Sequence, residues 1–161
     1  MAPSNAALRL SIAIPAALIG GALISQYVFG LYPCEMCMWQ RWPHYGAIFL
    51  GVAASALYPR PLANYLVFGA ALAILTSGLI GGFHAGVEYG WWEGITSCAA
   101  NIAAGDDLLG SIMNAPLVRC DVAPWTLFGI SLAGFNFLLS VGGAMIIMGL
   151  LAMGRKDAGN G

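Results

Sequence analysis

Residues 32–41 read YPCEMCMWQR and lie between two long apolar runs. Cys34 and Cys37 form a CxxC pair, and Arg41 follows Cys37 by four residues. Such a pair can close a small disulfide ring or bind a soft metal, and a nearby cation or helix N-terminus lowers the thiolate pKa. On one helix, a spacing of four brings Cβ atoms to about 5–6 Å. The stretch predicts a thiol pair at a membrane surface; a structural disulfide, or two unpaired cysteines beside an anchoring arginine, are the alternatives.

Composition places the chain in a lipid bilayer. Of 161 residues, 60% are hydrophobic and 8% are charged, with a mean hydropathy of +0.80. An average soluble domain carries roughly 25% charged residues. The net charge is −1 and there is no run of Lys or Arg, so nothing favours nucleic acid as a partner.

Four apolar runs predict an all-α membrane protein, a four-transmembrane-helix bundle in one domain over residues 1–161. The first run spans about 33 Å at 1.5 Å per residue, enough for the hydrocarbon core and too long for a typical signal peptide. Outer loops are predicted at 32–41 and 85–124, and the longer loop can contain a short interfacial helix because it mixes aromatic and acidic residues. The predicted spans are about 10–31, 42–57, 64–84 and 125–153.

Small residues recur at a spacing of four within the third run, at Ala73, Ser77 and Gly81. Small side chains let the backbones of membrane helices approach closely. The stripe therefore predicts a helix-packing surface.

The basic residues predict the orientation of the bundle. Four spans place both termini and the connector around Arg60 on one side, and the CxxC segment and the long loop on the other. The first side carries four basic residues and the second carries two, which by the positive-inside rule makes the first side cytoplasmic. The two sets are Arg9, Arg60, Arg155 and Lys156, against Arg41 and Arg119.

All four cysteines therefore face the oxidising side, where disulfides persist. Beside the CxxC pair, Cys98 and Cys120 lie in the long loop. Two pairs on one face can pass a disulfide between them by thiolate attack. Two structural disulfides remain an alternative. A Cys₄ zinc site is disfavoured, because Cys98 and Cys120 are far apart in sequence, and no metal is expected.

The ordered set of features resembles the bacterial disulfide bond formation protein B family (DsbB), membrane oxidases that use a quinone to reoxidise the periplasmic thiol oxidase DsbA. The resemblance covers nearly the whole chain. It rests on four spans, Pro33-Cys34-x-x-Cys37 with Arg41, His84 at the end of the third span, Cys98 and Cys120 in the second outer loop, and Trp125-x-Leu127-Phe128-Gly129 before the fourth span.

The resemblance implies a role for each of six residues. Cys98 would be attacked by the reduced DsbA-like partner, and Cys120 would then pair with Cys34. That pairing would free Cys37 as the thiolate that donates to a bound ubiquinone or menaquinone. Arg41 would polarise a quinone oxygen. His84 would be a second residue on the quinone side. The alternative is that His84 is a histidine at a helix end in the membrane interface, without a role at the quinone.

The expected function is that of an inner-membrane protein-dithiol:quinone oxidoreductase, with periplasmic cysteine loops, cytoplasmic termini, a DsbA-like partner and the membrane quinone pool. The rivals are a vitamin K epoxide reductase-like enzyme, a DsbB paralogue dedicated to one substrate, and a non-catalytic subunit with structural disulfides or bound metal. In the vitamin K epoxide reductase family the loop pair precedes the CxxC, whereas here Cys34 and Cys37 come first. His44 is expected to be interfacial, and Glu88 to pair with His84 or face water.

Overall fold

The computed structural model describes residues 3–95, 99–100 and 117–159, and these form four helices and two small antiparallel ribbons. The helices are α1 (Asn5–Tyr27), α2 (Glu35–Ala56), α3 (Leu62–Glu88) and α4 (Leu132–Gly159). The ribbons pair β1 (Ala99–Ala100) with β2 (Leu117–Val118), and β3 (Thr126–Leu127) with β4 (Ile130–Ser131).

Three helical segments are long and apolar enough to cross a membrane: α1, α3 and the Leu132–Gly154 part of α4. Helix α2 has 22 residues but is not among the helices that are long and apolar enough to cross a membrane. Its first three turns carry Glu35, Gln40, Arg41 and His44, which lower its hydropathy. The all-α prediction is confirmed, and three of the four predicted spans are supported.

Helix α2 begins earlier than the apolar run 42–57 suggests. It starts at Glu35, so most of the predicted outer loop 32–41 is helical. The reason is the cap: the Cys34 sulfur accepts a hydrogen bond from the Cys37 backbone N–H at 3.3 Å. Pro43 lies inside the helix instead of starting it. The apolar run therefore marks the lipid-compatible part of a longer helix.

The predicted fourth span, 125–153, begins with a hairpin. Phe128 and Gly129 have φ values of 52° and 78°, as a two-residue turn of type I′ requires. The Tyr89 hydroxyl donates to the Gly129 carbonyl at 3.0 Å and accepts from the Ser131 N–H at 3.0 Å, which ties the hairpin to the end of α3. In the described parts of the predicted loop 85–124 there are turns and short strands after Glu88, and no interfacial helix.

Helix α3 packs against both α2 and α4, and its small residues make this possible. Ser77 and Gly81 of the predicted stripe are buried. A Cβ atom on Gly81 would lie 3.0 Å from the Ala133 carbonyl oxygen and 3.0 Å from Asn136 Nδ2. The stripe is thus a packing surface, and it brings polar groups of three helices together.

Candidate functional site

The CxxC pair lies at the N-terminal end of α2. Cys34 is the N-cap residue and Cys37 lies in the first turn. Their sulfur atoms are 3.0 Å apart, as donor and acceptor of a hydrogen bond. Cys34 is buried, whereas Cys37 is partly accessible. The helix start therefore holds two thiols in contact, one of them open to reagents.

The two thiols have opposite electrostatic preferences. The hydrogen bond from Cys34, with a further one from the backbone, lowers the pKa of Cys37 although burial opposes it. The same contact with Cys37, together with burial, holds the pKa of Cys34 well above its usual range. When the pair loses one proton, it therefore comes from Cys37, and Cys34 keeps its own.

This assignment predicts how the reduced protein reacts with iodoacetamide. Cys37 should be alkylated before Cys34, at a rate that stays high until the pH falls through its lowered pKa. Cys34→Ala removes the donor, so we expect the midpoint of the Cys37 pH–rate profile to rise by about one to two pH units, since a hydrogen bond to a charged group contributes about 1.5–3 kcal/mol. Peptide mass spectrometry would follow each cysteine separately.

Cys34→Ser is the matched control, because its hydroxyl can still donate to Cys37. The midpoint should then move less than in Cys34→Ala. An equal shift in both variants would mean that the Cys34 side chain does not set the pKa of Cys37.

Two further groups meet at Cys34. His84 Nε2 lies 3.5 Å from the Cys34 sulfur and 3.2 Å from the backbone oxygen of Cys120. The sulfurs of Cys34 and Cys120 and a ring nitrogen of His84 all lie within 4.8 Å of one another, and all three residues are buried. Cys34 and Cys120 are thus close enough for disulfide exchange after a small displacement.

An amide fixes which nitrogen of His84 carries its proton. Gln40 Nε2 donates to the Met36 carbonyl at 3.2 Å, and it lies 2.9 Å from His84 Nδ1. Because this amide nitrogen is a donor, Nδ1 accepts and Nε2 bears the hydrogen. His84 therefore presents an N–H to Cys34, where it can stabilise negative charge on the sulfur. Glu88 Oε1 lies 3.7 Å from the same nitrogen, the pairing that the sequence left open.

The second centre is a cavity of about 230 Å³ between α1, α2 and α4, which we call the helix cavity. Its wall is mostly apolar, with seven polar or reactive side chains: Ser25, Tyr32, Cys37, Gln40, Arg41, His44 and Asn136. Cys37 and Arg41 share this surface, as their spacing of four predicts. His84, the other residue predicted on the quinone side, lies beside Cys34.

Arg41 is held in the wall of the helix cavity by α1. Its guanidinium donates to Gln26 Oε1 at 2.6 Å and to the Ala22 carbonyl at 3.2 Å. The residue is only 8% exposed, and within the described part of the chain no carboxylate forms an ion pair with it. A buried, uncompensated charge among membrane-compatible helices is costly, and such charges mark functional sites.

A second cavity, of about 290 Å³, lies at the end of the bundle and is called here the loop cavity. It is lined by Cys34, His84, Glu88 and Arg119, among others. Cys37 lines both cavities. The cysteine with the lowered pKa therefore lies in the wall between them. Cys98, predicted to meet the partner protein, lies outside the described residues.

A metal ion is the other group that these side chains could hold. Cys34, Cys120 and His84 would supply two sulfurs and one nitrogen, donors typical of zinc or copper(I). This donor set differs from the four cysteines considered from the sequence. The same atoms are those needed for exchange between Cys34 and Cys120, so metal binding and thiol exchange would compete.

Three polar residues of the site carry no recognisable sequence signal. Gln26 and Asn136 lie singly within apolar helices, and Gln40 lies beside Arg41 in the polar start of α2. Asn136 Nδ2 contacts Gln40 Oε1 at 2.8 Å across 96 residues of sequence. Isolated amides in predicted membrane helices are the available hint, since polar groups there seek partners across the bundle.

Membrane-compatible helices that carry a buried dithiol at one end define a multi-pass membrane protein of the thiol–disulfide class. The chain belongs to the family of disulfide bond formation protein DsbB, whose family model matches residues 4–150. This membership supports a disulfide-forming oxidoreductase.

Individual relatives agree with the family match. The chain is 31% identical to a disulfide bond formation protein B of Verminephrobacter eiseniae, over 88% of this chain and 82% of the relative. It is 30% identical to disulfide bond formation protein B 2 of Pseudomonas aeruginosa, over 89% of this chain and 92% of the relative. A Rickettsia prowazekii protein of uncharacterised function is 26% identical, over 91% of this chain and 86% of its own length. No solved structure gives a significant match.

Proposed function

We propose that the protein is an inner-membrane enzyme that oxidises a periplasmic DsbA-like thiol oxidase and transfers the electrons to a membrane quinone. The observation that carries the proposal is the position of Cys37, which lines both the loop cavity and the helix cavity. A thiolate in a shared wall can receive reducing equivalents on one side and deliver them on the other. In this arrangement α2 is the fourth span, and the cysteines face the periplasm.

The helix cavity suits a quinone ring. Its volume is slightly below the ~300 Å³ lower end of typical small-molecule sites, which fits a ring whose isoprenoid tail extends into lipid. Arg41 uses two of its five N–H donors on α1, and its charge has no carboxylate partner among the described residues. Bound there, a quinone would supply a two-electron acceptor.

The chain's own residues would act in sequence. The partner's thiolate attacks Cys98 of a Cys98–Cys120 disulfide and releases the Cys120 thiolate, which attacks Cys34 of a Cys34–Cys37 disulfide and releases the Cys37 thiolate beside Arg41. The partner's second thiol displaces Cys98, and the Cys98 thiolate then attacks Cys120 and releases Cys34 as a thiolate that His84 Nε2–H stabilises. With a quinone as the electron acceptor, the Cys34–Cys37 dithiol would return to the disulfide. Arg41 donates to an oxygen on which negative charge develops. Each turnover moves two electrons and two protons from the partner's dithiol to the quinone.

The proposal is tested by a turnover assay in detergent, with a reduced DsbA-like dithiol protein and a soluble short-chain quinone. We expect one quinone to be reduced for each dithiol oxidised, followed by ultraviolet absorbance and by thiol titration. The other DsbB-type possibility, a paralogue dedicated to one substrate, would show the same stoichiometry but only with its own partner.

Two outcomes would contradict the proposal. Thiols that stay oxidised in the presence of the reduced partner would indicate structural disulfides. One zinc ion per protein, retained after the reduced partner is added, would indicate a metal-binding subunit in which Cys34, His84 and Cys120 hold the ion. A vitamin K epoxide reductase-like enzyme is disfavoured because the CxxC precedes the loop pair.

A further inference from the structure

The imidazole of His44 is buried in the wall of the helix cavity with one nitrogen unpartnered. The side chain is 3% exposed, and its Nε2 lies 3.0 Å from Asn136 Oδ1. Nδ1 is buried and makes no hydrogen bond to any described residue. His44, which was expected to be interfacial, is therefore a buried histidine that lines the helix cavity.

The hydrogen-bond network around Asn136 fixes the tautomer of His44. Asn136 Nδ2 lies 3.2 Å from the Ser77 backbone carbonyl and 2.8 Å from Gln40 Oε1. Only an amide nitrogen can face a backbone carbonyl in a hydrogen bond, so Asn136 Oδ1 faces His44 and Ser140. The Ser140 hydroxyl donates to this oxygen at 2.8 Å. His44 Nε2 therefore carries a hydrogen, and Nδ1 of the neutral ring is an acceptor.

A buried acceptor without a donor is costly, and His44 is one of the residues that line the helix cavity. A ligand in the cavity that donates a hydrogen bond to Nδ1 would remove this cost. His44 follows Arg41 by three residues, which places both on one face of α2. The lining thus includes cationic donors on Arg41 and the unpartnered acceptor nitrogen of His44, besides the hydroxyl groups of Ser25 and Tyr32. An oxidised quinone carries only acceptor oxygens, which suit Arg41. A hydroquinone also carries hydroxyl donors.

We propose that His44 Nδ1 accepts a hydrogen bond from a hydroxyl of a hydroquinone, so that the helix cavity recognises the reduced ligand by an acceptor as well as a donor. This inference rests on the proposed function, because it takes the helix cavity as the quinone site. It needs no covalent or redox step at His44. The consequence is that His44 governs affinity for the reduced ligand and leaves affinity for the oxidised one nearly unchanged.

The test measures binding to the fully reduced protein, in which a hydroquinone has no electron acceptor. A short-chain hydroquinone and its dimethyl ether are titrated anaerobically against tryptophan fluorescence. The wild-type protein should prefer the hydroquinone by about tenfold, as expected for one buried hydrogen bond. His44→Leu should abolish the preference. His44→Asn, which keeps an acceptor near the Nδ1 position, should restore part of it.

A second titration separates this inference from the proposed function. Oxidised His44→Leu should still bind the corresponding quinone and should lose much less affinity for it than for the hydroquinone, which also shows that the variant is folded. If wild type and His44→Leu both bind the quinone but the variant keeps the preference for the hydroquinone, the role of His44 is overturned. The assignment of the helix cavity as the quinone site is then retained. If the wild type binds neither compound, the proposed function itself fails.

Discussion

Cys37→Ser is expected to abolish quinone reduction, by a factor on the order of 10³ or more, as for loss of an essential nucleophile. The serine hydroxyl is not ionised near neutral pH and cannot form the disulfide with Cys34. The partner-facing cysteines are unchanged, so a mixed disulfide with the DsbA-like protein should still form. Non-reducing electrophoresis and quinone absorbance would measure the two steps separately.

The geometry adds a second expected result for this variant. When Cys37 is replaced, Cys120 is the other cysteine near Cys34 among the described residues. The two sulfur atoms lie within 4.8 Å of each other. By exchange, Cys34 can attack Cys120 of a Cys98–Cys120 disulfide and release the Cys98 thiolate, so a Cys34–Cys120 disulfide should be found by mass spectrometry of peptides in part of the protein before the partner is added. Cys34→Ser is the control, because it cannot form this link. Quinone reduction by Cys37→Ser above about one per cent of the parent rate would refute the assignment.

Arg41→Leu is expected to raise the apparent KM for quinone about 10- to 100-fold and to leave the KM for the protein dithiol nearly unchanged. A hydrogen bond to a charged group contributes about 1.5–3 kcal/mol, which sets this range. Steady-state kinetics with each substrate varied in turn would measure the effect.

The stability of this variant separates a binding role from a structural one. Removing a buried charge that has no ion-pair partner among the described residues should cost little stability, so we expect the Tm to change by only a few degrees. Arg60→Leu, which changes an exposed arginine in the connector before α3, is the matched control and should alter neither KM. Equal increases in both KM values with a large fall in Tm would assign Arg41 to the fold.

The sequence predicted the parts of the molecule that depend on local spacing. Apolar runs predicted the helices, because a membrane helix needs a continuous apolar stretch. The spacing of four predicted that Cys37 and Arg41 share one face of a helix, and both line the helix cavity. The stripe of Ser77 and Gly81 predicted close packing for the same local reason.

The remaining features depend on contacts between distant residues or on local geometry without an apolar signal. The start of α2 is set by a thiol cap at Cys34, which hydropathy does not report. His84 contacts Cys34, which the sequence did not predict, since only the packing of α3 on α2 decides which cysteine it meets. The Asn136–Gln40 contact links two helices that are distant in sequence, so no local pattern could predict it.

The division of the site into two cavities has a pharmacological consequence. A small molecule lodged in the helix cavity would reach Cys37 without covering Cys34 or His84, which line the loop cavity. Such an inhibitor would not compete with the protein substrate, and its potency would survive a high concentration of that substrate. Compounds that join an apolar ring to an electrophile could combine reversible binding with covalent capture of the partly accessible Cys37 thiol.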